Sequence, residues 1–233
     1  MSSLIEDLYS RTGKRVLVTG ASSGLGRHFV RVMARAGADV AMVARRQEVL
    51  EDLGEELRTH GGDVFVTRMD VTDRASVDQA FSEIDEACGP VDVLINNAGI
   101  GFVMKDTREV SPDEWNLVID VTLSGVFHCT QAAAAHMEAA GHGGRIINIA
   151  SQAAKSGFPH MAPYCAAKHG VIGLTRTAAI DYGRAGITVN AVCPNHVTTG
   201  LGSAQNAYFS AFKGLTEAAY LEEMAARIPL QRI

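Results

Sequence analysis

From residue 15 onward, short apolar runs alternate with stretches of helical periodicity, and few architectures accept that pattern. "RVLVTG" reads as a strand buried on both faces, and behind it Leu25, Phe29, Val32, Met33 and Ala36 recur at helical spacing until Gly37. "ADVAMVA" predicts a second strand, Leu50, Leu53 and Leu57 a second helix, "DVFVTRMDV" a third strand, and Val77, Ala80, Phe81 and Ile84 a third helix. "VDVLINNAG" is the fourth strand. "SPDEW" then opens a fourth helix, with Ser111 as N-cap, Pro112 at the first helical position and Glu114 completing a capping box; its pattern runs to about Gly141. "GRIINIAS", a helix over "APYCAAKHGVIGLTRTAA" and the strand "GITVNAVCP" follow. Strands that alternate with helices pair in parallel through right-handed crossovers, so helices cover both sheet faces: a doubly wound α/β fold.

No linker or low-complexity segment divides the 233 residues, which fit one domain, 1–233. In such sheets ligands bind beyond the carboxyl ends of the strands. Those ends carry "TGASSGLG", "ARR", "MDV", "NNAG", "IAS" and "CPNHVTT", so glycine and polar residues gather where a site is expected. A net charge of −5 leaves no basic footprint for nucleic acid and favours a small-molecule partner. The start "MSSLIEDLYSRTGKR" lacks the apolar core of a secretory leader, and no apolar run approaches the roughly 18 residues of a membrane span. Cys88, Cys129, Cys165 and Cys193 show no C-x-x-C or metal-ligand spacing, which fits reduced thiols in a cytoplasmic protein. The eight histidines form no H-E-x-x-H, so no metal site is expected.

Gly20, Gly24 and Gly26 form G-x-x-x-G-x-G between the first strand and first helix. Glycines there allow a tight turn and close approach of a pyrophosphate, whose charge meets the free N–H groups of the helix; Ser22, Ser23 and Leu25 belong to the same cradle. "GASSG" also matches the nucleophile elbow G-x-S-x-G of serine hydrolases, with Ser22 as nucleophile. That elbow normally follows several strands, whereas one precedes Ser22. Farther along, Ser151 stands thirteen residues before Tyr164, and Lys168 lies one helical turn beyond Tyr164 on the same face. A proton donor working at neutral pH needs a matching pKa, and free tyrosine has a pKa of about 10. An ammonium about 4 Å away at an effective dielectric near 20 is worth roughly 4 kcal/mol, or about three pKa units. Lys168 is therefore expected to lower the Tyr164 pKa.

T-G-x-x-x-G-x-G at Thr19 to Gly26, N-N-A-G at Asn96 to Gly99 and the Ser151, Tyr164, Lys168 set together resemble the short-chain dehydrogenase/reductase family over nearly the whole chain, its 3-oxoacyl-thioester and ketone reductases in particular. The resemblance implies a Rossmann-type sheet and hydride transfer between a nicotinamide cofactor and a ketone or secondary alcohol. It implies that Tyr164 is the acid/base, that Lys168 also holds the nicotinamide ribose and that Ser151 hydrogen-bonds the substrate oxygen. Asp70 and Val71 match the pair that holds adenine, Asn96, Asn97, Ala98 and Gly99 the floor of the cofactor cleft, and Pro194, Asn195, Val197 and Thr199 the P-G-x-V-x-T turn. The second strand ends in Ala44, not the carboxylate that accepts from a free 2′-OH, and Arg45 and Arg46 follow; this favours NADP(H) over NAD(H).

The sequence departs from the family at three places. Asn195 replaces the usual glycine, although Asn tolerates positive φ. Thr122 stands where the family has an asparagine associated with the proton relay behind the lysine. "RIPLQRI" closes the sequence where relatives continue into a last helix and strand, so the sheet is expected to lack that strand. These departures keep a non-catalytic NADP(H)-binding scaffold as an alternative. Residues 200–226, with Leu201, Tyr208, Phe209, Phe212, Leu215 and Tyr220, read as a mobile apolar flap favouring a substrate with a hydrophobic part. The resemblance also implies a homodimer or homotetramer, associating through the fourth helix and the Tyr164 helix.

Overall fold

The computed structural model describes residues 9–60, 62–101 and 103–233, which form one α/β unit. The reading of the first residues as no secretory leader falls mostly on residues 1–8, outside the described residues. The chain runs β1 (Arg15–Thr19), α1 (Gly24–Arg35), β2 (Asp39–Ala44), α2 (Gln47–Leu57), β3 (Val64–Arg68), α3 (Arg74–Cys88), β4 (Val93–Asn96), α4 (Pro112–Ile119), a π-helical turn (Asp120–Ser124) and α5 (Gly125–Ala140). It continues through β5 (Gly144–Ile149), α6 (Ala162–Tyr182), β6 (Ile187–Val192), α7 (Leu201–Phe212) and α8 (Glu217–Ala226). Among the described residues the six strands make one sheet in the order β3-β2-β1-β4-β5-β6, with parallel pairing throughout and β6 at one edge. The order reverses between β1 and β4, which opens a crevice at their carboxyl ends.

The period of two along β1 divides the core. Val16 and Val18 face α1 and α2, packing with Val30, Ala34, Leu50, Leu53 and Leu57, while Leu17 faces α3 and α5 with Phe81, Ile84, Cys129 and Met137. Residues 50, 53 and 57 and residues 77, 80, 81 and 84 are buried as their spacing predicts. The face of α1 is instead centred on Gly26, Val30 and Ala34, so Val32 is turned out and 42% exposed. The capping box of α4 forms as read: Glu114 N donates to Ser111 Oγ at 3.2 Å and Ser111 N to Glu114 Oε2 at 3.0 Å.

The strands are shorter than their apolar runs. Residues 69–71 leave β3 and residues 97–99 leave β4, delivering "MDV" and "NAG" to the crevice as loops. Pro112 to Ala140 also departs from expectation, since this helical span is long and apolar enough to cross a bilayer. Half of its most apolar window is buried inside the protein, as befits a core helix.

Candidate active site

A cavity of about 600 Å³ opens over the carboxyl ends of the strands. At one end Gly20, Ser22, Ser23, Gly24 and Leu25 line it. Gly20 has φ +66°, and a Cβ there would lie 2.9 Å from Ala98 Cα, so no other residue fits without displacing backbone. Gly26 does not line the cavity. It serves packing, because a Cβ on it would sit 2.4 Å from the Gly20 carbonyl oxygen. The N-terminus of α1 has no side-chain cap and no acidic residue in its first turn. Its N–H groups and the positive end of the helix dipole thus remain available to an anion, and the glycine turn lets a pyrophosphate approach them. The residues present fit a dinucleotide.

The "NNAG" segment is clamped to β1. Thr19 Oγ1 accepts from the backbone N–H groups of Asn97 and Ala98, both at 3.0 Å, and Asn97 Nδ2 donates to Thr19 O at 3.0 Å. Asn97, Ala98 and Gly99 line the cavity, but Asn96 does not. Asn96 points into the core, where its Nδ2 donates to Thr130 Oγ1 at 3.0 Å and Asn148 Oδ1 at 2.9 Å, and Asn148 Nδ2 donates to Thr175 Oγ1 at 2.9 Å. The expected place of Asn96 on the cleft floor is therefore corrected: the period of two at the end of β4 turns it inward, and it braces β4, α5, β5 and α6.

Asp70, Val71, Ala44, Arg45 and Arg46 line the same end. Burial pushes the Asp70 carboxyl up, but hydrogen bonds from Thr72 and the charges of Arg45 and Arg68 more than offset this and hold it below its ordinary value. Arg46 reaches back across the glycine loop and donates to Ser22 Oγ at 3.0 Å. Ser22 Oγ thus serves as an acceptor for a guanidinium, and among the described residues no histidine or carboxylate is hydrogen-bonded to it as a hydrolase nucleophile needs.

At the other end the structure brings Ser151, Tyr164 and Lys168 to one wall. Ser151 ends the run out of β5, its Oγ accepts from Ala153 N at 3.1 Å, and its hydroxyl is hydrogen-bonded to Tyr164. Lys168 Nζ donates to Ile149 O at 2.6 Å and lies 5.7 Å from the centre of the Tyr164 ring. Burial pushes the Tyr164 phenol above its ordinary pKa, with the Ser151 hydrogen bond opposing, and brings Lys168 down to about 8. This corrects the expectation that Lys168 lowers the Tyr164 pKa. The ammonium is solvated by a carbonyl rather than by the phenol, and both groups share a buried site that penalises charge on either.

Thr122 is fully buried in the π-helical turn, outside the cavity lining. Its Oγ1 accepts from Ile100 N and donates to Ile100 O, each at 3.1 Å. A Cβ on Gly99 would lie 3.7 Å from both Thr122 Oγ1 and Lys168 Nζ, so both side chains border the space that this glycine leaves open. π turns inserted in α-helices recur at functional sites, and this one has no apolar period by which to find it.

Pro194, Asn195, Val197 and Thr199 line the cavity beyond β6. Asn195 does not adopt positive φ, so the turn forms without the conformational freedom expected of it. The flap consists of α7 and α8. Leu201, Phe209 and Tyr220 face the cavity, whereas Tyr208 and Phe212 turn toward His160 and Leu215 is 38% exposed. Sequence reasoning missed Ile100, Phe158, Met161 and Gln205, which line the substrate end from irregular loops or from α7 and carry no motif. Backing Tyr164 is a cluster of Val103, Val118, Ala153, Met161 and Ala167, against which Phe158 and Phe209 pack.

Residues 14–208 match the family model described as short chain dehydrogenase. The 3beta-hydroxysteroid dehydrogenase of Mediterraneibacter gnavus is 40% identical over 188 residues, 81% of this chain and 67% of that protein. The 3-oxoacyl-acyl-carrier-protein reductase of Staphylococcus aureus is 37% identical over 223 residues, 94% of this chain and 84% of that protein. Among solved structures, a variant of the actinorhodin polyketide ketoreductase with NADPH superposes with a TM-score of 0.87 at 36% identity, covering 94% of this chain and 84% of that one. With its parallel Rossmann-type sheet, glycine cradle and these relatives, the chain belongs to the short-chain dehydrogenase/reductase family, enzymes that bind NAD(P)(H) and transfer hydride between that cofactor and a ketone or alcohol.

Proposed function

We propose that the protein is an NADP(H)-dependent reductase of a ketone, or a 3-oxoacyl thioester, with an apolar flank. The observation that carries this reading is the single cavity joining the glycine cradle to the Ser151, Tyr164, Lys168 wall. The nicotinamide, when bound, supplies the hydride. Gly20, Ser22, Ser23, Gly24 and Leu25 would hold its pyrophosphate, Asp70 and Val71 the adenine, Asn97, Ala98 and Gly99 the floor, and Pro194, Asn195, Val197 and Thr199 the opposite wall.

The remaining work falls to the chain. The Ser151 hydroxyl donates to the substrate oxygen and fixes it beside the phenol. A phenol whose pKa is raised by burial keeps its proton until the substrate oxygen becomes an alkoxide, a far stronger base, and then Tyr164 Oη gives it up. Once the product alcohol no longer needs it, the Ser151 hydroxyl is free to donate to the phenolate that remains. With a pKa of about 8, Lys168 is mostly charged at neutral pH yet able to release a proton, which suits it to restoring the phenol. Ile100, Phe158, Met161 and Phe209 shut water from the reacting oxygen and favour an apolar flank.

Preference for NADP(H) rests on Arg45 and Arg46 at the cavity mouth, where β2 ends in Ala44. A 2′-phosphate there would meet two guanidiniums and no carboxylate from the end of that strand. Self-association through α4, α5 and α6 is part of the same reading, supported by Trp115, Leu117, Phe127 and Ile180 at 41%, 44%, 45% and 80% exposure. A homodimer is the smallest assembly expected, and a monomeric mass at micromolar concentration refutes it.

The deciding experiment follows absorbance of the reduced cofactor with NADPH and NADH against a panel of ketones, acyl thioesters and alcohols. Turnover of a ketone with an apolar group, faster with NADPH, is expected, and Arg45→Ala should weaken NADPH binding more than NADH binding. Tight NADPH binding without turnover of any carbonyl or alcohol supports the scaffold alternative instead. Equal losses for both cofactors in Arg45→Ala reduce that arginine to a surface charge.

A further inference from the structure

His160 lies in the loop that leads into α6, four residues before Tyr164. It has φ +62°, left-handed backbone that side-chain-bearing residues seldom adopt outside tight turns. Such a conformation persists only where surrounding contacts over-determine it. Three contacts, from two elements, converge on this residue. Its carbonyl accepts from Lys105 N at 3.0 Å, tying it to the loop that follows β4. Its Nδ1 is hydrogen-bonded to the Tyr208 hydroxyl of α7 at 2.9 Å. Its ring meets Phe212 edge-on with centroids 4.8 Å apart, and Phe212 stacks with Tyr208 at an interplanar angle of 8°. Tyr208 and Phe212 are one helical turn apart and present one face of α7 to the loop.

The neighbouring residue on the helix points elsewhere. Phe209, about 100° around α7 from Tyr208, lines the cavity and packs against the cluster that contains Tyr164. Tyr208 and Phe209 also meet edge-on, with centroids 5.2 Å apart. The position of the Phe209 ring over the substrate end is therefore coupled to what holds Tyr208 outside it. At its other end α7 is seated by close backbone contact, where a Cβ on Gly200 would lie 3.0 Å from Gly24 Cα.

We propose that His160 and Tyr208 are positioning residues for the substrate: their clasp fastens α7 to the loop before Tyr164 and thereby sets the Phe209 wall against the substrate's apolar flank. The substrate role rests on the reductase reading above; the clasp itself does not. A ring at residue 160 accounts for a strained backbone that glycine would adopt freely. The clasp governs capture and fit of the substrate, not proton transfer, since neither side chain lines the cavity.

The test uses Tyr208→Phe, which removes only the hydroxyl, His160→Gly, which removes the ring while relieving the backbone, and His160→Asn, which keeps a polar side chain compatible with left-handed φ. Amide hydrogen exchange across residues 201–212 of the full chain reads the clasp without any substrate. Exchange about fivefold faster in Tyr208→Phe is expected, the change left by losing one modest hydrogen bond, with residues 162–182 unaffected. KM for a ketone with an apolar flank should rise by a similar factor in Tyr208→Phe and by more in His160→Gly, while kcat and NADPH affinity stay within about twofold; His160→Asn should recover part of the loss. Unchanged exchange in both Tyr208→Phe and His160→Gly overturns the clasp, whatever the turnover. Faster exchange with unchanged KM overturns the substrate role. Faster exchange in the variants, with a parent protein that reduces no carbonyl, refutes the reductase reading and leaves the clasp standing.

Discussion

Gly26→Ala pits two effects of opposite sign against each other at one position. In a helix, alanine is favoured over glycine by about 0.5–1 kcal/mol. Here the new Cβ would lie 2.4 Å from Gly20 O and 2.5 Å from Asn97 Nδ2, about 1 Å inside the ~3.5 Å of van der Waals contact. Gly20 cannot retreat, because Ala98 lies behind it. Overpacking of this kind costs about 1–3 kcal/mol. Displacing Asn97 Nδ2 from Thr19 O and Gly20 O forfeits about 1 kcal/mol more. The sum is a net loss of about 1–3 kcal/mol. For a domain of this size it should lower Tm by roughly 3–10 °C, and the disturbed cradle should weaken NADPH about tenfold. Gly183→Ala is the control, since Gly183 has helical φ −57° and ψ −35° and nothing within 4 Å of a Cβ, so Tm should rise by about 1–4 °C. Calorimetry and fluorescence titration of NADPH measure both quantities. If Gly26→Ala matches Gly183→Ala in Tm and leaves NADPH affinity intact, the loop is not compressed as described and the packing argument fails.

Tyr164→Phe should lower kcat by about 10²- to 10⁴-fold while the NADPH dissociation constant moves little, because the hydroxyl serves chemistry and the ring packing; near-normal kcat refutes its role as acid. Lys168, with a folded pKa of about 8 against an ordinary 10.5, is penalised by roughly 3 kcal/mol wherever it must be charged. Its folded value is depressed, so the unfolded chain binds more protons between the two values, the penalty is full below pH 8, and stability recovers as pH rises from 8 to 10.5. Denaturant midpoints at pH 7 and 9.5 should therefore converge for Lys168→Met relative to the parent, and parallel pH slopes would contradict the burial of a charge. Thr122→Val should cost about 1–3 kcal/mol by leaving Ile100 N and O without their partner, whereas Thr122→Asn keeps both roles. Thr122→Asn should also raise kcat modestly and shrink the solvent isotope effect; lost activity or an unchanged isotope effect means that Thr122 is not a weakened relay member.

The alternation of apolar runs and helical periods determined the doubly wound sheet, because only parallel strands with covering helices bury such a pattern. Spacing alone also determined the capping box at Ser111, the buried faces of α2 and α3, and the shared face of Tyr164 and Lys168, since local geometry suffices to place them; Ser151 beside them was implied by the family resemblance. Asn96 was read correctly as a polar residue at a strand end and wrongly as a cleft residue: which way a strand's last side chain points depends on where its pleat stops. The pKa relation of Tyr164 and Lys168 was likewise out of reach of spacing. Two residues one helical turn apart are neighbours in any helix, but the sign of their shifts came from burial, and what holds the Lys168 ammonium is the Ile149 carbonyl, nineteen residues away along the chain. The π turn around Thr122, the orientation of Arg46 onto Ser22 and the clasp of His160 on Tyr208 were decided by tertiary structure alone. Each depends on contacts between segments distant in sequence, and no local periodicity encodes the strain, burial or close backbone approach that those contacts impose.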